Sequence, residues 1–115
     1  MELAALTARA VEVQRRLNET AAARGGRPWT REELAQGFVG DVGDLMKLVM
    51  AKAGARPIAE ADRKLAHELS DCLWSVLVLA QAYGVDLEKE FPATMDGIEA
   101  KLAPKTTECG DTAPL

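Results

Sequence analysis

Apolar residues return every three or four positions in four separate stretches of this chain, and glycine or proline breaks the pattern between them. That period belongs to the α-helix, whose faces repeat every 3.6 residues, and not to the two-residue alternation of a strand. The first stretch runs from about Glu2 to Arg24, with Leu6, Ala10, Val13 and Leu17 on one stripe, and Gly25-Gly26 stops it. The second runs from Thr30 to about Ala53. It opens with a capping box, in which the Thr30 hydroxyl and the Glu33 carboxylate each satisfy a free backbone N–H. Its stripe is Leu34, Phe38, Val42, Leu45 and Val49. Gly37, Gly40 and Gly43 interrupt it, which implies close approach of another backbone or a kink, since each costs about 1 kcal/mol of helix propensity.

The third stretch begins near Ile58, after Gly54-Ala55-Arg56-Pro57, and ends at Gly84. From Cys72 onward it is apolar almost all round, Trp74 and Val78 included, as expected at the centre of a bundle or at an oligomer interface. The fourth starts with Asp86 as N-cap, continues through Phe91, Met95, Ile98 and Leu102, and ends at Pro104. The expected fold is therefore an all-α, four-helix bundle-like domain over residues 1–103, with short loops and antiparallel neighbours. Residues 104–115 lack periodicity and are expected to form a disordered tail.

Composition narrows the partners. Eighteen acidic against fourteen basic residues leave a net charge of −4, and no Lys/Arg stripe exists to track a nucleic-acid backbone. No apolar run reaches about 18 residues, so no membrane span is expected. The start, Met1-Glu2-Leu3, lacks the basic and apolar regions of a signal peptide. Of the two cysteines, Cys72 reads as a small core hydrophobe and Cys109 falls in the tail, with no Cys-x-x-Cys, which points to the reducing cytoplasm.

Two acidic pairs stand out against this apolar background. Asp41 and Asp44 lie three apart on the second helix, and Glu68 and Asp71 three apart on the third. On a helix such pairs share a face, and antiparallel packing lets the two faces meet. Four converging carboxylates repel one another, and a hard divalent cation removes the conflict. Mg²⁺ takes oxygen ligands and keeps waters that substrate phosphates can replace, with Mn²⁺ as the alternative ion. Zinc does not suit a site without histidine or thiolate ligands. A di-iron bundle needs Glu-x-x-His motifs, and His67 has Lys64 and Ser70 at three residues either side. Solvated surface charge is the plain alternative for all four acids.

Glu68-Leu69-Ser70-Asp71 followed by Cys72-Leu73-Trp74, and the later run Ala80-Gln81-Ala82-Tyr83-Gly84-Val85-Asp86-Leu87-Glu88, resemble the MazG-like all-α nucleoside triphosphate pyrophosphohydrolases. Trp29 ahead of the second helix fits the same pattern, and the likeness extends from about Val11 to Leu102. That family carries Glu-Glu-x-x-Glu where this chain has Gly40-Asp41-Val42-Gly43-Asp44, so Gly40 replaces its first carboxylate. The resemblance implies Mg²⁺-dependent hydrolysis of a nucleoside or deoxynucleoside triphosphate to the monophosphate and pyrophosphate, clearing unwanted nucleotides. Asp41, Asp44, Glu68 and Asp71 would be the metal-holding and catalytic residues. Lys47 and Lys64 would reach the phosphates and Trp29 would stack on the base. Lys47 also reads as a surface lysine, Lys64 as an i,i+4 partner of Glu68, and Trp29 as a staple over the bundle end. A homodimer or homotetramer is implied as well. Two other readings stay open: a degenerate relative that binds metal or nucleotide without turnover, which Gly40 favours, and a helical oligomerisation module with incidental acids.

Overall fold

A computed structural model describes residues 2–104; the tail expected beyond Pro104, including Cys109, lies outside the described residues. It is all-helical, with α1 (Leu3–Ala23), α2 (Arg31–Lys52), α3 (Ala61–Ala82) and α4 (Leu87–Leu102), and no strand among the described residues. By its internal contacts the chain divides into two compact units, the first ending at Gly84 and the second beginning at Val85.

In the first unit α2 packs along α3, and α1 packs on α3. Lys52 at the end of α2 pairs with Asp62 at the start of α3. At the other end the Arg31 guanidinium lies over the Tyr83 ring, 5.1 Å from its centroid. The two helices are therefore antiparallel, as their short connection requires. The capping box forms as the sequence predicts: Glu33 N–H donates to the Thr30 hydroxyl at 3.1 Å, and Thr30 N–H donates to Glu33 Oε1 at 2.9 Å. Arg27 then clamps the Glu33 carboxylate and holds it well below the usual range, at about 2. Gly25, Gly54 and Gly84 adopt positive φ just past the ends of α1, α2 and α3, the left-handed turn that glycine makes without steric cost. The start of α3 differs from expectation. Ile58 precedes the helix, and Glu60 sits left-handed as its N-cap, with its carboxylate bound to the Arg63 guanidinium.

The packed face of α2 also differs. Leu34 and Leu48 are buried, while Val42 and Val49 remain 42% and 46% exposed. The inward line runs through Leu34, Phe38, Asp41, Leu45 and Leu48, so an acid occupies the place expected for Val42. Apolar side chains lie on both faces of this helix, and periodicity alone does not say which face turns inward. Gly37 accounts for itself. A Cβ there would meet the Trp29 ring at 2.7 Å, so the close approach is by an indole and not by a backbone. Around Gly40 and Gly43 such a carbon meets nothing within 4 Å.

The apolar run from Cys72 onward is covered only in part within the unit. Val78 is 1% exposed, and Trp74 donates its indole N–H to the Ala10 carbonyl at 3.0 Å, while Leu73 and Val76 stay uncovered. Further uncovered apolar side chains include Leu69 on α3 and Val39, Val42, Met46, Val49 and Met50 on one face of α2. In the second unit Asp86 caps α4 by accepting from the Lys89 N–H at 3.3 Å, and Pro92 sits within the first two turns.

Gly40→Ala and Gly43→Ala are each expected to stabilise the protein by up to about 1 kcal/mol. Gly37→Ala is expected to destabilise it and shift the Trp emission, because the indole must leave its seat. Urea denaturation followed by fluorescence measures both effects.

Candidate functional site

The antiparallel register of α2 and α3 sets Asp41 and Asp44 against Glu68. One carboxylate oxygen from each of the three lies within 4.8 Å of the others. Asp41 and Glu68 are half-buried and Asp44 is exposed. Glu68 Oε2 is sealed from solvent and has no hydrogen-bond partner among the described residues. A buried, unpartnered carboxylate oxygen forfeits its hydration without compensation, which costs several kcal/mol unless a cation or a proton satisfies it.

The electrostatics of the seam agree. Burial pushes the Asp41 carboxyl above its ordinary range, and the charges of Asp71 and Asp44 add to the rise. Glu68 moves the same way, through burial first and then Asp71, Asp44 and Asp41. Burial, and then the charges of Asp41, Glu68 and Asp71, push the Cys72 thiol up. Asp71 stands apart from the close trio. Its Oδ2 lies 3.2 Å from His67 Nε2, so of the four acids singled out in the sequence the structure brings three together and turns the fourth to a histidine. The donor set is all carboxylate oxygen, which fits a hard divalent cation such as Mg²⁺ or Mn²⁺.

Two cavities flank the carboxylates. The larger, about 610 Å³, is mostly apolar and lies between α1 and the α2–α3 pair. Val13, Leu17, Trp29, Leu34 and Trp74 line it, and Asp41 and Asp71 close one side. Val13 and Leu17 thus follow the predicted stripe of α1 but face open space. Trp29 is 57% exposed over Gly37 and presents its ring to this cavity. The smaller cavity, about 360 Å³, holds Lys47 and Lys64. Lys47 Nζ is 3.8 Å from Asp44, a loose pair that exchanges readily with another anion. Sequence reasoning does not single out Arg63 and names His67 only as a neighbour of Glu68 without a role, yet both line the smaller cavity; Gln14 and Asn18, also not singled out, line the larger. The signal for the first pair was their spacing, five residues and one residue ahead of Glu68 on the same helix.

Compared with protein families, with characterised proteins and with solved structures, the chain has no match. No helix among the described residues is long and apolar enough to cross a membrane.

Because folding raises the pKa of Asp41 and Glu68, the folded chain keeps protons that the unfolded chain releases just above the ordinary carboxylate range. In that window stability falls as pH rises; below it both states are protonated and the penalty disappears. Metal-free Asp41→Asn is therefore expected to be more stable than wild type at pH 7, with the difference vanishing below about pH 4. Should the trio bind Mg²⁺, as its donor set allows, the order is expected to reverse: at a hundred times its Kd the ion would add about 2.7 kcal/mol to the wild type, and less to the variant. Thermal melts across pH, with and without Mg²⁺, check both points.

Proposed function

We propose that this protein is a MazG-like, Mg²⁺-dependent nucleoside triphosphate pyrophosphohydrolase. The observation that carries the reading is the trio Asp41, Asp44 and Glu68, in which the Glu68 Oε2 is buried with no hydrogen-bond partner among the described residues. Such a site is unfavourable as it stands and favourable around a hard cation. Asp41, Asp44 and Glu68 hold the ion, and Asp71 adds its charge beside them. When bound, Mg²⁺ (or Mn²⁺) neutralises the phosphates and acidifies the attacking water. The carboxylates of the same set receive the proton that the water gives up. Trp29 stacks on the base at the apolar cavity, and Lys47 and Lys64 hold phosphate oxygens.

The exposed apolar faces of α2 and α3 support a homodimer or homotetramer, since surface of this kind is rarely left to water. Gly40 keeps a second reading in play, a relative that binds metal and nucleotide without turnover. The position has room for a side chain, so glycine is not imposed there by packing.

Pyrophosphate release from a panel of nucleoside and deoxynucleoside triphosphates is expected only with Mg²⁺ or Mn²⁺ present. Glu68→Gln is expected to lower kcat/KM by about 100-fold or more. Metal binding by calorimetry without turnover of any nucleotide would select the non-catalytic reading, and failure to bind metal would remove both. Leu73→Asp is expected to convert the oligomer to monomer in sedimentation velocity while leaving the helix content intact.

A further inference from the structure

The smaller cavity has a composition that the chain as a whole does not. The protein carries a net charge of −4, yet Lys47, Arg63, Lys64 and His67 all line this one hollow, together with Asp44 and Glu68. Lys47 comes from α2. Arg63, Lys64 and His67 come from the first two turns of α3, at spacings that place them along one side of the helix. The four carboxylates of the seam divide between the two cavities: Asp41 and Asp71 border the apolar one, Asp44 and Glu68 the basic one. The acidic cluster is thus a partition, with a hollow suited to a flat apolar body on one side and a hollow suited to an anion on the other.

We propose that the basic cavity receives the leaving pyrophosphate half of a nucleoside triphosphate, with Arg63 and His67 as specificity residues beside Lys47 and Lys64. This rests on the hydrolase reading above and gives it a direction. The base lies at Trp29, the α-phosphate at the carboxylates, and the β- and γ-phosphates among the four basic side chains. Water adds to the α-phosphorus, and the bond from that phosphorus to the bridging oxygen breaks. The bridging oxygen keeps the electron pair and leaves on pyrophosphate, and the proton from water passes to a carboxylate and then to solvent. Negative charge grows on the departing β-phosphate, where cationic donors help most. A planar guanidinium suits paired phosphate oxygens. Two of these side chains have exposed partners that do not hold them fast, Arg63 with Glu60 at 3.0 Å and Lys47 with Asp44 at 3.8 Å, while His67 lies 3.2 Å from Asp71.

The test is calorimetric titration of pyrophosphate, in the presence of Mg²⁺, and of nucleoside monophosphates into the full chain. Wild type, Arg63→Gln, Lys64→Gln and Trp29→Ala are compared, each checked for fold by circular dichroism. Arg63→Gln and Lys64→Gln are each expected to weaken pyrophosphate about tenfold and to leave monophosphate affinity within about twofold. Trp29→Ala does the opposite, and one triphosphate displaces one pyrophosphate. Unchanged pyrophosphate affinity in both charge variants overturns the assignment, as does simultaneous binding of triphosphate and pyrophosphate, which would mark a separate polyphosphate site. Turnover is scored independently. A wild type that splits no nucleotide but shows the expected binding pattern refutes the hydrolase reading and leaves the cavity assignment standing. A wild type that turns over while both charge variants bind normally does the reverse.

Discussion

The seam between α2 and α3 bears the cost of packing carboxylates together. Asp41, Asp44 and Glu68 approach within 4.8 Å, and one oxygen of Glu68 is shut off from water with no hydrogen-bond donor among the described residues. Burial and like charge both raise the pKa of Asp41 and Glu68, so these groups oppose folding near neutral pH when nothing binds them. An all-oxygen donor set of this kind suits a hard cation, and such an ion would offset the penalty only with the two helices in register.

That register also makes the surroundings. With α2 and α3 antiparallel, each step along the seam pairs a more N-terminal residue of α2 with a more C-terminal residue of α3. Leu34 and Gly37 therefore share a cavity with Trp74 and Ser75, while Lys47 and Leu48 share one with Arg63 and Lys64. The acids fall between, at Asp41, Asp44, Glu68 and Asp71. Trp29 reaches the first cavity because Gly37 has no side chain to push the indole away. Arg27 fixes Glu33 in the capping box one residue before α2 begins its inward line at Leu34, which ties the connector carrying Trp29 to the helix. The apolar and basic hollows are thus consequences of one helix pairing.

The same geometry explains what was legible in the sequence. Helix existence, the capping box, the glycine stops and the Asp86 cap are local, and local chemistry decides them; all four appear where the pattern puts them. The convergence of Asp41, Asp44 and Glu68 was readable because two i,i+3 pairs on antiparallel neighbours have few other ways to meet. The inward face of α2 was not. Val42 and Asp41 differ by one residue and about 100° of rotation, and a helix with apolar residues on opposite faces offers no internal vote between them. Asp71 was grouped with Glu68 by spacing, yet His67, one turn earlier on the same helix, draws its carboxylate aside. Arg63 is not legible because a basic residue near a helix start reads as solvent-facing until the opposing helix supplies Lys47, and a lone histidine such as His67 fits no ligand motif in the sequence.

Gly40 can be weighed against this background. The space around it is open, so no close neighbour demands a glycine, and the helix bears the propensity cost of Gly40 without a packing reason. The three remaining carboxylates nonetheless close on one another without a contribution from this position. Each aspartate is one methylene shorter than a glutamate, so the carboxylate oxygens on α2 stay nearer their own backbone. Glu68, the longer side chain, spans the difference from α3, and it is the one whose oxygen ends buried and unpartnered. The reach of Glu68 and the shortness of Asp41 and Asp44 are complementary. The meeting of the three carboxylates thus rests on long and short acids across the seam and takes nothing from residue 40.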